Sequence, residues 1–461
     1  MRLNLLYRDW ASVLNAGVYA EIYFESLKEE AIEFQDKKIS DYASGTESGL
    51  GLRYLFQENE PGEIETVFGS ANGINAGAAR RLADRLLAGR KRTESPPGSP
   101  SSFRNGLPEP DSDPISSERK CALLRRLDHA AREEHPEVSQ VHISYSERSG
   151  DVVVFTSDAS DARKSSDAAT LVISATASRK NLRQSATEVL GGPRGFRGLS
   201  PEAAVSAARR AARRAAAKLD APVAQGGEMP VVLAASAGGT FIHEAVGHSL
   251  ESDHIQEGAS PHYARLRDKT VAPEFLSVFD DPTLPFARGS YPFDDEGRPA
   301  EPVAAIEGGV LKEFIYDRLT AMREGRSSNG HGRRESYRHR PVPRLSNLYI
   351  APGPHDPVAI VKELDRGLLV TRMGGGEVHT ATGEFVFGVD EGFRIENGKI
   401  LGRVRDANLL GIGHEALSSV DRLGWDMGWS TGTCGKCGQG VAVSDGQPTM
   451  RIPNLLVGGR A

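Results

Sequence analysis

Apolar and polar residues alternate with a period of two through the runs at 18–24, 30–34, 49–56 and 63–68, with polar turns between them. That period belongs to half-buried antiparallel strands. A short helix is expected at 9–16, and over 75–87 the apolar spacing changes to the helical period. A second helix is expected over 117–134, followed by strands near 138–147, 150–157 and 169–178. Ser200-Pro201-Glu202 reads as a helix start, a hydroxyl cap with Pro at the first helical position, and the Ala/Arg-rich run continues to Asp220 before Pro222 stops it. Beyond Met229, short strand signals alternate with Gly/Asp turns at 231–235, 301–317, 345–351, 367–372, 384–388, 392–396 and 399–407. The pattern predicts an α+β protein of two domains. The first, 1–220, is a layered α/β unit with antiparallel strands and a bridging helix at 200–220. The second, 221–461, is a mostly antiparallel sheet domain.

Composition and charge narrow this picture. A chain of 461 residues is too long for one ordinary core. The stretch 91–117 is rich in Pro and Ser and poor in apolar residues, so it reads as a mobile loop or long connection inserted into the first domain. With a net charge of −6, the chain gives no sign of a nucleic-acid partner. Arg209, Arg210, Arg213 and Arg214 read as a solvated helix face instead. The N-terminus is too polar for a signal peptide, and no apolar run is long enough to span a membrane. Three cysteines are too few for a disulfide scaffold, which points to a reducing cytoplasm. Cys121 lies in an amphipathic helical pattern and reads as core.

The chemistry concentrates in Phe241-Ile242-His243-Glu244-Ala245-Val246-Gly247-His248, a helix placed directly behind the buried strand Val231–Ala235. Two imidazoles and a carboxylate this close are suited to a divalent metal, a water and a base. In the zinc-peptidase spacing H-E-x-x-H both His share a helix face; here the second His comes one residue later. Five residues of regular α-helix turn roughly 500°, leaving the rings about 140° apart. A π-type turn or a loosening at Gly247 is therefore expected; the alternative is two unrelated His on a buried helix. A catalytic zinc needs a third protein ligand. Glu251, Asp253 and His254 lie nearby, and Cys434 and Cys437 lie in the distant Gly-rich stretch 432–440. Chemistry leaves either cysteine, against Glu251, open as the third ligand.

The chain resembles the TldD/PmbA metallopeptidases. The resemblance is carried by 243–251, by Asp294-Asp295-Glu296-Gly297, by Gly332-Arg333-Arg334-Glu335-Ser336-Tyr337, by Gly432-Thr433-Cys434-Gly435-Lys436 and by the tail 446–452. It is looser in the N-terminal half. The family has metal-bearing members with H-E-x-x-x-H and metal-free partners lacking it, and this chain resembles the metal-bearing type. The resemblance implies His243, His248 and Cys434 as ligands of one zinc per chain, with Glu244 as catalytic base. It also implies a homodimer, or a heterodimer with a metal-free PmbA-type paralogue, acting on peptides or unfolded protein.

Two features depart from the family pattern: Cys437, which would close the site if it also bound zinc and is expected not to, and the apparent length of 91–117. His414-Glu415 lacks a partner His and reads as coincidence. Arg333, Arg334, Tyr337 and His339 are candidate oxyanion donors, against a surface or dimer-contact role. Gly374-Gly375-Gly376 could admit a substrate backbone, against an ordinary turn. Strand addition would suit sequence-tolerant cleavage. The expected function is therefore a zinc-dependent peptidase working by metal-activated water. The alternatives are a zinc-stabilised, non-catalytic binding or regulatory subunit of a heteromeric protease, and thiol redox through Cys434 and Cys437.

Overall fold

The computed structural model describes residues 3–92, 101–104 and 115–459. Much of the Pro/Ser-rich stretch at 91–117 lies outside the described residues. Within it, Ser101–Arg104 forms a short strand.

The N-terminal part is one sheet built from β1 (Tyr19–Gln35), β2 (Lys38–Gln57), β3 (Ile64–Asn72), β4 (Ser101–Arg104), β5 (Val138–Thr156), β6 (Ser160–Arg179) and β7 (Leu182–Pro193). Their order is β3-β2-β1-β5-β6-β4, with β7 also on β6. All pairs are antiparallel except β4 with β6. The alternating runs at 18–24 and 30–34 fuse into the single β1, and those at 138–147 and 150–157 into β5, because polar residues inside a long antiparallel pair need not end it. The helix expected at 9–16 is instead two 3₁₀ turns, Tyr7–Asp9 and Ala11–Val13. Helices α1 (Ala76–Leu86), α2 (Ser117–Glu134) and α3 (Pro201–Leu219) follow the apolar spacing closely. α2 and α3 bury Leu124, Leu127, Ala208 and Ala212 against Ile143, Leu171 and Ile173 of the sheet. Two caps fix helix starts: Asn75 Oδ1 accepts from Ala78 N, and Ser200 Oγ from Ala203 N.

The C-terminal part has two main sheets. One orders β15 (Arg366–His379), β8 (Gly227–Leu233), β22 (Met450–Gly458), β18 (Asn408–Ile412), β16 (Glu384–Glu396) and β17 (Lys399–Val404). β15 also pairs with β16, so five of these strands close into a ring with no free edge between them. Gly374 and Gly376 lie in β15 at a break in register opposite β16. A Cβ on Gly376 would meet Phe387 Cδ1 at 2.1 Å, so the Gly triplet serves strand packing and is not an ordinary turn. The other sheet orders β11 (Val310–Leu311), β10 (Val303–Glu307), β9 (Val278–Asp280), β14 (Asn347–Ile350), β21 (Gln439–Gln447) and β20 (Gly428–Lys436). β12 (Gly332–Arg333) and β13 (Val342–Pro343) pair separately. The apolar pattern did not show β18, β20, β21 or β22. In β20, Gly and hydroxyl residues replace the apolar alternation, because small residues let the strand approach its neighbours: a Cβ on Gly428 would sit 1.9 Å from Ala235 O. None of the described helices is long and apolar enough to cross a membrane.

A buried ionic seam joins the two parts. On β1, Ile22 and Phe24 face the packing with α1, while Glu21, Tyr23 and Glu25 face the C-terminal part. Arg53 of β2 donates to Glu21 Oε2 at 3.0 Å, bonds Glu296, and lies 3.9 Å from Asp317. Arg334 bonds Glu21 and donates to Asp295 O at 2.9 Å. Lys164 reaches Asp295 Oδ1 at 2.7 Å. Breaking one member of such a buried set costs about 3–5 kcal/mol, because the stranded charge stays buried. Three carboxylates crowd Arg53, and burial, helped by Asp317 and Asp294, pushes the Glu296 carboxyl up to about 8 despite Arg53.

Glu296 thus holds a proton in the folded chain that it loses on unfolding at neutral pH. Its folded value lies above its unfolded value, so this contribution to stability is complete at low pH and fades as pH rises through about 8. We expect the melting temperature of the wild type to fall between pH 6 and pH 8.5, and that of Glu296→Gln to fall less. Thermal melts of both proteins across this range check it; equal slopes would contradict it.

Candidate metal centre

Helix α4 (Thr240–Ala245) lies between the closed ring and the six-stranded sheet. Its apolar positions Phe241, Ile242 and Ala245, with Val246 after it, join the shared core that includes Leu233, Leu348, Phe385 and Ile452. Those positions mark one helix face, which leaves His243 and Glu244 on the other. The helix runs regularly as far as His243, whose N donates to Gly239 O at 3.0 Å. It then breaks at Val246 (φ −128°, ψ −48°), and a 3₁₀ turn covers Gly247–Leu250.

This break is the distortion the spacing demands, placed one residue before Gly247 and without a π turn. Gly247 is needed for space, not for an unusual φ. A Cβ there would lie 2.6 Å from Leu348 Cδ2 and 2.7 Å from Leu345 Cδ1.

The rings of His243 and His248 end up 5.0 Å apart and perpendicular. Cys434 comes from β20, with its Sγ 3.5 Å from His248 Nε2. One ligand atom from each of the three residues lies within 4.8 Å of the other two, and all three residues are buried. Among the described residues no other group of three or more His, Cys, Asp or Glu side chains meets this condition.

Cys437 is elsewhere. The stretch 432–440 folds as a hairpin of β20 and β21, not as an irregular Gly-rich loop. Cys437 (φ 52°) and Gly438 (φ 71°) form its two-residue turn, the left-handed pair that suits a tight hairpin. Cys437 is exposed and Cys434 buried. Arg344, fully buried, holds this end of the hairpin by donating to the carbonyls of Cys434 and Gln439.

Carboxylates orient both rings from behind. His243 Nδ1 bonds Asp445 Oδ1 at 2.6 Å, and His248 Nδ1 bonds Glu251 Oε2 at 2.9 Å. Each ring therefore has its Nε2 free to face the centre, the arrangement in which an outer carboxylate fixes the tautomer of a ligand. Lys436 closes the outer layer, donating to Glu251 Oε2 at 3.1 Å and to Asp253 Oδ1 at 2.6 Å.

The nearby third-ligand candidates take other roles. Glu251 and Asp253 are bound as just described, and His254 Nδ1 meets His248 O at 2.9 Å. Asp445 had no local signal in the sequence. Its place follows only once Cys434 is paired with Val441, because residues 441, 443 and 445 then share one face of β21.

The charges suit a cation. Burial works against the Cys434 thiolate, but the two imidazoles outweigh it and hold the thiol down to about 5. The sulfur is then anionic at neutral pH, the form that binds metals. Burial also lowers the affinity of His248 for a proton, yet Glu251 and Cys434 raise it to about 10. Two imidazoles and one thiolate at mutual ligand distance are a donor set that fits zinc. Glu244 Oε2 lies 3.8 Å from His248 Nε2, on a side chain about one-third exposed.

The oxyanion candidates are engaged elsewhere. Arg334 lies in the interdomain seam. Tyr337 OH donates to Glu47 Oε1 and Asn72 Oδ1 at 2.8 and 2.7 Å, and Arg333 bonds the carbonyls of Leu345 and Ala442. His339 Nδ1 meets Ser336 Oγ at 3.0 Å. His414 stacks on His262 with centroids 3.3 Å apart, a partner the sequence did not reveal.

Comparisons with known proteins agree along the chain. Three family profiles match: PmbA/TldA metallopeptidase domain 1 at residues 20–89, the central domain at 110–219 and the C-terminal domain at 226–459. A protein of Haemophilus influenzae named "Metalloprotease TldD homolog" is 32% identical over 457 residues, covering 96% of this chain and 93% of the relative. A "Zinc metalloprotease TldD homolog" of Saccharolobus solfataricus is 36% identical over 234 residues, covering 50% of this chain and 52% of the relative. Among solved structures, TldE from Thermococcus kodakarensis shares the fold with a TM-score of 0.74 at 17% identity, covering 98% of this chain and 99% of that one.

If the Asp445 carboxylate orients His243, Asp445→Ala should weaken zinc binding roughly 10–100-fold while leaving the secondary structure unchanged. Competition with a chromophoric chelator, with circular dichroism as control, measures this. Undiminished affinity would show that the ring needs no such support.

Proposed function

This chain belongs to the PmbA/TldA metallopeptidase family, and on that premise we propose that it is a zinc-dependent peptidase cleaving peptide bonds in short or unfolded peptides, with Glu244 as general base. One observation carries the reading: the centre gathers three protein ligand atoms, while the fourth candidate, Cys437, sits in an exposed hairpin turn. Three protein ligands leave a coordination position for water or substrate, which separates catalytic zinc from structural zinc.

His243, His248 and Cys434 would hold the ion, one per chain. When bound, zinc supplies Lewis acidity, polarising a water and a substrate carbonyl. Glu244 is suited to the proton work. It follows His243 directly, points toward the Nε2 side of His248, and its partial exposure keeps it open to solvent and substrate. It takes the proton of the attacking water and returns it to the leaving amine. Asp445 and Glu251 hold the two imidazoles in their ligating tautomers throughout.

Strand β20, which carries Cys434, ends its sheet and pairs there with β21 alone among the described strands. An extended peptide can therefore add along its outer edge, with main-chain hydrogen bonds that do not read sequence. The reading includes a cytoplasmic location and assembly as a dimer, with a second copy or a metal-free paralogue.

Three variants test the assignment. Glu244→Gln should keep its zinc and lose peptide cleavage by about a hundredfold or more. Cys434→Ser should lose the metal, whereas Cys437→Ser should keep both metal and activity. Metal analysis of each purified variant, paired with a short-peptide digestion assay, gives the answer. Full activity in Glu244→Gln would overturn the mechanism. Chelation separates the enzyme from a zinc-stabilised binding subunit: the enzyme loses activity and stays folded, while the subunit unfolds and shows no cleavage beforehand.

A further inference from the structure

α3 and the closed ring flank an open cavity of about 600 Å³ whose lining includes five arginines. Arg210, Arg213 and Arg214 line it from α3, Arg372 from β15 and Arg403 from β17, together with His135. The arginines of α3 therefore do not form one solvated face. Arg214 is only 8% exposed, and Arg210 turns inward to donate to Glu188 Oε2 at 2.8 Å.

The carboxylates here do not balance the cations. Glu188 alone receives Arg210, Arg214 and Arg372, the last at 3.1 Å. Asp390 receives Arg214 at 2.9 Å and also Lys218. Four cations thus share two carboxylates, a surplus of two positive charges at one wall. Of the two acids that line the cavity, Glu391 is matched by Arg403, and Asp220 pairs with Arg179, which Glu137 shares. Donors remain for a ligand. Arg372 commits its Nη2 to Glu188, and Arg213 its Nη1 to Glu134 at 3.2 Å; each guanidinium has five N–H groups.

We propose that this cavity is a binding site for an oligophosphate, the linear chain of two or three phosphates found free or on a nucleotide. Planar guanidinium forks on three separate elements match a ligand with several phosphate groups better than a single carboxylate. The volume lies within the usual range for a small-molecule site. Among the described residues no Phe, Tyr or Trp lines the cavity, so it offers no large aromatic face for a base to stack on. Ser236, which also lines it, donates to Thr371 O at 3.0 Å and lies four positions before the first residue of α4.

Titration calorimetry on the full zinc-loaded chain, at low ionic strength, tests the site with sodium tripolyphosphate, ATP and orthophosphate. We expect tripolyphosphate and ATP to bind once per chain with affinities within about tenfold of each other, and orthophosphate far more weakly. The double variant Arg210→Ala/Arg372→Ala leaves Glu188 paired with Arg214 and should fold. Losing two charge-assisted contacts should weaken tripolyphosphate at least about tenfold, with zinc content unchanged. Arg213→Glu, at the exposed rim, should weaken it too and guards against a folding artefact in the double variant. No binding at millimolar tripolyphosphate, or binding untouched by these variants (as chelation at the zinc would be), overturns the proposal. An affinity for ATP far above that for tripolyphosphate also overturns it, by placing the ligand in a base pocket elsewhere.

Discussion

Everything at the centre depends on a helix that stops early. Five residues of regular helix cannot turn His243 and His248 toward one point, and the break at Val246 followed by a 3₁₀ turn brings their rings to 5.0 Å. The close approach of Leu345 and Leu348 to Gly247 shows why a larger residue cannot stand in the turn. A sulfur from a hairpin near the end of the chain completes the set, so the site forms only when β20 and β21 have paired across α4. The second layer reinforces this: Asp445 and Lys436 come from the same hairpin, and Glu251 follows the 3₁₀ turn. The candidate metal centre is thus a joint between two segments far apart in sequence, and its orienting carboxylates belong to those same two segments.

The segments that carry the family resemblance divide between two tasks. His243-Glu244 through Glu251 and Thr433 through Lys436 build the candidate metal centre. Asp294 through Gly297 and Gly332 through Tyr337 instead build the ionic seam to the N-terminal sheet. There Arg53 faces Glu21, Glu296 and Asp317, and Arg334 reaches back to Glu21. Buried polar clusters of this kind stabilise less than their contacts suggest, since desolvation offsets much of the attraction. They do fix geometry, because each carboxylate accepts only a few well-placed donors. Gly332 illustrates the tightness, as a Cβ there would lie 2.2 Å from Glu296 Oε2.

Much of the fold was legible where one physical signal acted alone. The cap at Ser200 and the apolar spacing of α1, α2 and α3 gave helix ends to within a residue or two. The paired requirements for a distorted turn and a third donor could be stated from spacing and ligand chemistry. What spacing could not supply was the choice among donors. Cys434 and Cys437 differ because one lies on a buried strand and the other in a left-handed turn, and the hairpin that separates them is written in Gly and Thr, which read as loop. Arg334 and Tyr337 looked like surface or catalytic groups because nothing local shows that β1 and β2 bring carboxylates to meet them, and Arg333 because nothing local shows the carbonyls of Leu345 and Ala442. Arg214 likewise is buried against Glu188 on β7, a strand the apolar pattern did not show, and against Asp390.

The central claim, one zinc held by two imidazoles and a single thiolate with a position left open, is tested most directly by zinc K-edge X-ray absorption on the purified chain. The account predicts two nitrogen scatterers at about 2.0–2.1 Å, one sulfur at about 2.3 Å and one further light atom from water. Two sulfur scatterers, or a site with no exchangeable light atom, would contradict it.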